Sequence, residues 1–287
     1  MSIDALLAFI PLAIIIVTLG LGMSLTVADF TRVAQAPRVV LLALAIQVLV
    51  MPALCFGLVS ALGMAPELAV GMMLIVAAPG GTTANFFSHL AGGDVALNVT
   101  LTAVNSVLSV VTLPIVVNLS LAYFLGDGQI GLQAGKVAQV FALVLVPIGL
   151  GMLLRRVRPV LALRMVAPVK IAAAVLLLLL IGLAIYGDRA NAADNLAQAG
   201  WATLALSSLS LAIGYVVPRL ARMERTQAIA CSMEIGIHNV PLALAIALSP
   251  SLLGNARIAV PVGVYGSVMF ITAGLATVLH TRRRRLA

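Results

Sequence analysis

The stretch SMEIGIHNVP, residues 232–241, sets a carboxylate, an imidazole and an amide within six residues of one another inside an otherwise apolar run. Gly236 adds backbone freedom there, Asn239 is a poor helix former, and Pro241 lacks a backbone donor, so a helix is expected to open at this point. If the segment crosses a bilayer, the freed backbone groups cannot face lipid and must be buried in protein or line a polar cavity. The expected fold is therefore an all-α integral membrane protein organised around an interrupted helix.

Composition agrees with a bilayer setting. The chain has 287 residues, 62% of them hydrophobic and 9% charged, against roughly 25% charged in soluble domains. Apolar segments of about 20 residues, enough to cross a hydrocarbon layer of roughly 30 Å, recur along its length. With Pro, Gly and charged residues as boundaries, they fall at 5–28, 39–62, 67–91, 95–125, 136–155, 166–186, 199–218, 226–250 and 256–281, nine spans in all. The first segment, IDALLAFIPLAIIIVTLGLGM, carries Asp4 and no basic residue before it, so it reads as a retained span rather than a signal peptide. Cys55 and Cys231 lie in apolar runs and read as packing residues. The net charge of +8 does not point to nucleic acid, because the basic residues sit in short loops without interleaved aromatics.

Those basic residues orient the chain. Alternate loops hold Arg32 and Arg38, then Arg155, Arg156, Arg158, Arg164 and Lys170, then Arg219, Arg222 and Arg225, and the tail Arg282 to Arg285, together 14 of the 17 basic residues. The opposite loops keep Lys136, Arg189 and Arg257. The positive-inside bias puts the N-terminus outside and the C-terminus in the cytoplasm of an inner (plasma) membrane protein, with Trp201 and Tyr186 at outer helix ends.

A second interruption is expected at APGGTTANFFSHLAGGD, where Pro79, Gly80 and Gly81 fall mid-membrane. Spans five to nine form a five-helix unit broken in its fourth member; spans one to four form a unit broken in its third. A five-span unit reverses orientation when repeated, so a single transmembrane domain over 1–287 is expected, with a trimmed first repeat over 1–125 and an inverted second repeat over 126–287.

Glu234 is the carboxylate placed near mid-membrane, where a bare charge costs about 2.5–3.5 kcal/mol or more, so it should hold a cation or a proton. A protonated side chain bonded between helices is the plainer reading. The first break supplies Thr82, Thr83 and Asn85, and the following helix Asn98 and Thr102, one turn apart on one face. Hydroxyl and amide oxygens around one carboxylate make a hard site suited to sodium rather than to a transition metal. Taken singly, each Thr or Asn, and Gln47 in the second span, reads as interhelical glue. His238 can be structural, bind a cation when neutral, or titrate near physiological pH. His89 and His280 read as surface or interface residues.

In 78–102, APGGTTANFFSHLAGGDVALNVTLT, and in EIGIHN, 234–239, the sequence resembles the bile acid:sodium symporter family, and the resemblance runs over essentially the whole chain. It implies panel and core domains, with two unwound helices crossing beside two sodium sites, in a nine-helix form lacking the first helix of ten-helix members. One sodium site maps onto Asn85, Asn98, Thr102 and Glu234, with Ala84 where the family frequently has serine. The second maps onto Gln47, the backbone around Glu234, Ile235 and Ile237, and the side chain at 238, where the family usually has glutamine and this chain has His238. That replacement leaves the second sodium open, with a proton as its substitute. Thr83, Asn85, His238 and Asn239 map near the substrate. With no Lys or Arg mid-membrane, an organic anion would meet the helix N-termini at the breaks.

The function so implied is sodium-coupled import of an organic anion, a bile-acid-like molecule or a small carboxylate such as pantoate or a keto acid, by alternating access and without need of an oligomer. Proton-coupled transport and efflux by a carrier of related fold stand as alternatives. Arsenite efflux would want a thiol at the first break, where none lies. An intramembrane enzyme pairing Glu234 with His238 would need an unbroken helix between them.

Overall fold

A computed structural model describes residues 10–126, 134–187 and 192–285, and every regular element among them is helical. Helix α1 (Ile10–Ser24) is followed, after a sharp bend of 70°, by the short α2 (Val27–Thr31). Helix α3 (Pro37–Ala61) starts on a proline at its first turn and carries a π-helical turn over Ile46–Val50, which contains Gln47. Helices α4 (Pro66–Ala77) and α5 (Thr82–Ala91) form a pair bent by 66°. The 31-residue α6 (Val95–Leu125) begins at Asp94, whose side chain accepts from the Leu97 amide. Then come α7 (Ala134–Val157), α8 (Pro159–Gly187) and α9 (Ala192–Leu220), the pair α10 (Arg225–Gly236) and α11 (Val240–Leu248), and α12 (Ala256–Arg285).

Each apolar segment expected from the sequence thus contains one helix or one interrupted pair. Five described helices are long and apolar enough to cross a bilayer, and the two bent pairs raise this to seven; α7 and α8 occupy the fifth and sixth segments. Some edges move. The first span stops at Ser24, where the chain turns into α2, and the sixth begins at Pro159, carrying Pro168 within it. Trp201 is exposed at its helix surface, whereas Arg189 and the side chain of Tyr186 lie outside the described residues.

Two groups of helices pack together. Helices α1, α7 and α8 form one, with α1 and α7 in backbone contact: a Cβ on Gly22 would strike the Ile148 carbonyl, and one on Gly151 would lie 2.7 Å from the Met23 amide. Small residues are the usual means of such close approach in membranes. In the other group, α4 and α10–α11 lie inside, surrounded by α3, α6, α9 and α12. In the most apolar stretch of α10–α11, 94% of residues are buried, against 39–44% in the other long helices. The groups meet where α11 touches α1 and α8 and where α12 touches α8.

Candidate functional site

The two breaks bond to each other. Helix α4 ends at Ala77, so carbonyls that a continuing helix would have paired find other donors. Gln47 Nε2 donates to Val76 O at 3.0 Å, His238 Nδ1 to Ala78 O at 3.0 Å, and the Asn239 amide to Pro79 O at 2.8 Å. On the other strand of the crossing, α10 ends at Gly236. The Asn239 amide would have closed onto Ile235 O in a longer helix and is the one diverted to Pro79 O. Gly236 O instead accepts from the Tyr265 hydroxyl at 2.9 Å. In a bilayer each unmet carbonyl would cost several kcal/mol, so this exchange is what lets both helices open.

The same bonds orient the side chains. A carbonyl only accepts, so Gln47 must present Nε2 and His238 must carry its proton on Nδ1. Gln47 Oε1 and His238 Nε2 are left as acceptors of a neutral ring and amide. Asn98 repeats the pattern, donating through Nδ2 to Ala230 O at 2.7 Å and leaving Oδ1. Thr102 Oγ1 donates to Glu234 Oε2 at 2.6 Å. Gln47 Oε1, Asn85 Oδ1, Asn98 Oδ1, Glu234 Oε1 and His238 Nε2 are all buried without a hydrogen-bond partner. An unmet buried polar group costs about 1–3 kcal/mol. Five acceptors left open near one crossing form a chemistry complementary to small hard cations.

A cavity of about 410 Å³ lies beside the crossing, where the two helix groups meet. Val17, Leu21 and Val169 form one wall, and Phe86, Met269 and Phe270 another. Its polar end holds Gly81, Thr82 and Thr83 at the start of α5, which has no side-chain cap, together with His238 and Asn239. Asn239 Oδ1 accepts from the Leu242 amide at 3.2 Å and so caps α11. Two helix N-termini therefore point into a largely apolar chamber, and among the described residues no Lys or Arg lines it. Cys55 and Cys231 are fully buried and line none of it, which leaves a thiol-dependent arsenite reading without a ligand.

The sodium bile acid symporter family model matches residues 11–195. The chain belongs to this family. It is a family of transporters, and this excludes the enzyme reading; Glu234 and His238 are separated by the end of α10 and bond to different partners. Among similar proteins, the chain is 26% identical to the uncharacterized sodium-dependent transporter YocS of Bacillus subtilis over 84% of its own length and 74% of that protein's. It is 29% identical to the probable sodium/metabolite cotransporter BASS1, chloroplastic, of Arabidopsis thaliana, over 87% of its own length and 61% of that protein's. To the human sodium/bile acid cotransporter 4 it is 30% identical over 51% and 34%.

Within this symporter-family chain, Thr102 and Glu234 touch, Asn98 joins α6 to α10, and Gln47 and His238 both bond to the first break. Thr83, His238 and Asn239 line the cavity; Asn85 does not. The carbonyls at Glu234, Ile235 and Ile237 lie at the break in α10. Two participants escaped the sequence reading. The Asn105 side chain faces the Glu234 carboxylate, as does the Gly80 amide, and Tyr265 closes the second break. Asn105 follows Thr102 by three residues, a spacing that places both on one helix face; Tyr265 sits in an apolar helix and left no such trace.

Proposed function

We propose that the chain is a symporter in which sodium, carried as a co-substrate, moves with an organic anion by alternating access of the two helix groups. The observation that carries this reading is the set of buried acceptors left open at the crossing. Asn85, Asn98, Thr102 and Glu234 would hold one sodium; Gln47, His238 Nε2 and the carbonyls at Glu234, Ile235 and Ile237 would hold a second. The anion's carboxylate would sit at the α5 and α11 N-termini near Thr83, His238 and Asn239, with its apolar body against Leu21, Phe86 and Phe270; Asn85, which does not line the cavity, would serve the cation alone. An amphipathic monocarboxylate suits this chamber. The names of the relatives, a sodium-dependent transporter and a sodium/metabolite cotransporter, accord with it.

Transport would run inward across a plasma membrane, with the N-terminus outside and the C-terminus cytoplasmic, through a domain of two inverted repeats over 1–125 and 126–287. Purified protein in proteoliposomes should accumulate a labelled carboxylate when sodium is imposed outside, and fail to do so with potassium. Equal accumulation in potassium would overturn the reading. A proton-coupled variant draws support from the open nitrogen of His238. It requires flux to change with pH and His238→Gln to remove that change.

A further inference from the structure

A small polar void lies between α3 and α6, apart from the large cavity. It is lined by Gln47 on the π turn of α3, by Asn105 and Thr112 on α6, and by the apolar atoms of Ala77, Pro52 and Val116. Its volume of about 10 Å³ is close to the space one water molecule needs. Two buried polar atoms on its walls have no partner, Gln47 Oε1 and Asn105 Nδ2. One is an acceptor and the other a donor. Both residues are more than nine-tenths buried, at 4% and 3% exposure. The orientation of Gln47 is set by its bond to Val76 O, so Oε1 cannot turn into a donor.

We propose that this void is a built site for a single water, which accepts from Asn105 Nδ2 and donates to Gln47 Oε1, and that Asn105 thereby couples the two cation sites. The same Nδ2 group faces the Glu234 carboxylate, and its two N–H bonds can serve the carboxylate and the water at once. Gln47 in turn bonds the carbonyl end of α4, immediately before the first break. The chain Glu234, Asn105, water, Gln47 therefore runs from the acceptors of the first site to an acceptor of the second without passing through the substrate cavity. The π turn is part of the device. Its extra residue per turn lets a helix carry a polar side chain into the packing between neighbours, and such turns recur at functional sites. A cation drawing Glu234 toward itself would shift Asn105, and the shift would reach Gln47 through one shared water. Asn105 is thus a positioning residue, not a ligand. The coupling half of this inference rests on the sodium-coupled reading above; the water site does not.

Two experiments on the full chain test it. A high-resolution structure should show one ordered solvent atom within hydrogen-bond distance of Gln47 Oε1 and Asn105 Nδ2; a dry void there would overturn the water site, whatever the protein transports. In proteoliposomes, Asn105→Leu should lower the steepness of the sodium activation curve and raise half-saturating sodium about fivefold or more, with anion KM at saturating sodium held within about twofold. Asn105→Ser, which keeps a hydroxyl and room for water, should fall between the two and guards against a misfolded leucine variant. Pairing Asn105→Leu with Gln47→Ala should add little to either single change. Additive losses, or an Asn105→Leu curve identical to wild type, would overturn the coupling. A wild-type protein indifferent to sodium would overturn the proposed function and the coupling with it, and leave the water site to be decided by the density alone.

Discussion

Gly80 has no side chain in the one place where a side chain would meet the Glu234 carboxylate. An added Cβ would overlap Oε1 and lie 2.5 Å from Cδ and 2.6 Å from Oε2. The carboxylate is boxed in by Thr102 and Asn105 as well, so it has little room to yield. Gly80→Ala should therefore displace Glu234 and raise half-saturating sodium by about tenfold or more, roughly 1.4 kcal/mol. Sodium titration of uptake checks this, and an unchanged half-saturation would show that the carboxylate is not held for a cation. Much at this scale was legible beforehand. A lone acidic residue, amides and hydroxyls grouped near two interruptions carry their own argument, because each is expensive alone in lipid. The directions of the bonds were not legible. That Gln47 and His238 each spend their donor on a carbonyl set free at a break, and Asn98 on the Ala230 carbonyl within α10, so that all three become acceptors, depends on how the helices pack. Tyr265 shows the limit most plainly, since nothing in GVYGSV marks the hydroxyl that serves Gly236 O from another helix.

The two interruptions differ as elements. Pro79, Gly80 and Gly81 together turn the chain by 66°, whereas α10 and α11 bend by no more than 40° across Ile237–Asn239 and count as one 24-residue span. Both breaks were readable from Gly and Pro placement, but their angles come from packing. Helix α9 lies directly behind α10: a Cβ on Gly214 would come within 2.8 Å of Ser232 Cα and 3.1 Å of Cys231 O. Ser232 Oγ also donates to Leu211 O at 2.7 Å. Backbone atoms cannot step aside as a side-chain tip can, so Gly214→Ala should push α10 away from α9. The expected cost is about 1–3 kcal/mol, read as a lower melting temperature in detergent, with weakened sodium activation because Glu234 rides on α10. Gly57→Ala is the contrast. Nothing lies within 4 Å of its added Cβ, so stability should stay within about 0.5 kcal/mol. Equal effects of the two substitutions would mean that the α9–α10 contact does not set the position of the break.

At the scale of the molecule, the buried acceptors and the open cavity are separate spaces that share two residues. His238 presents one ring nitrogen to Ala78 O and borders the cavity; Asn239 bonds the first break through its amide and caps α11 beside the same cavity. An anion that presses on this pair alters the geometry seen by a cation, and the reverse must hold with the same factor, because coupling between two binding equilibria is reciprocal. Sodium should therefore tighten binding of a carboxylate by about 5–150-fold, the usual span of such couplings, and saturating carboxylate should tighten sodium equally. Thermal shifts in purified protein give both numbers, since a ligand that binds only the folded state raises its stability by RT ln(1 + L/Kd) at free ligand concentration L. Val169→Trp separates the two spaces: it fills the cavity from α8, far in sequence from the acceptors, and should abolish the anion's shift while sodium's remains. Loss of both shifts together would mean that the cavity and the acceptor sites are one space, and a carboxylate binding as tightly in potassium as in sodium would remove the coupling on which symport depends.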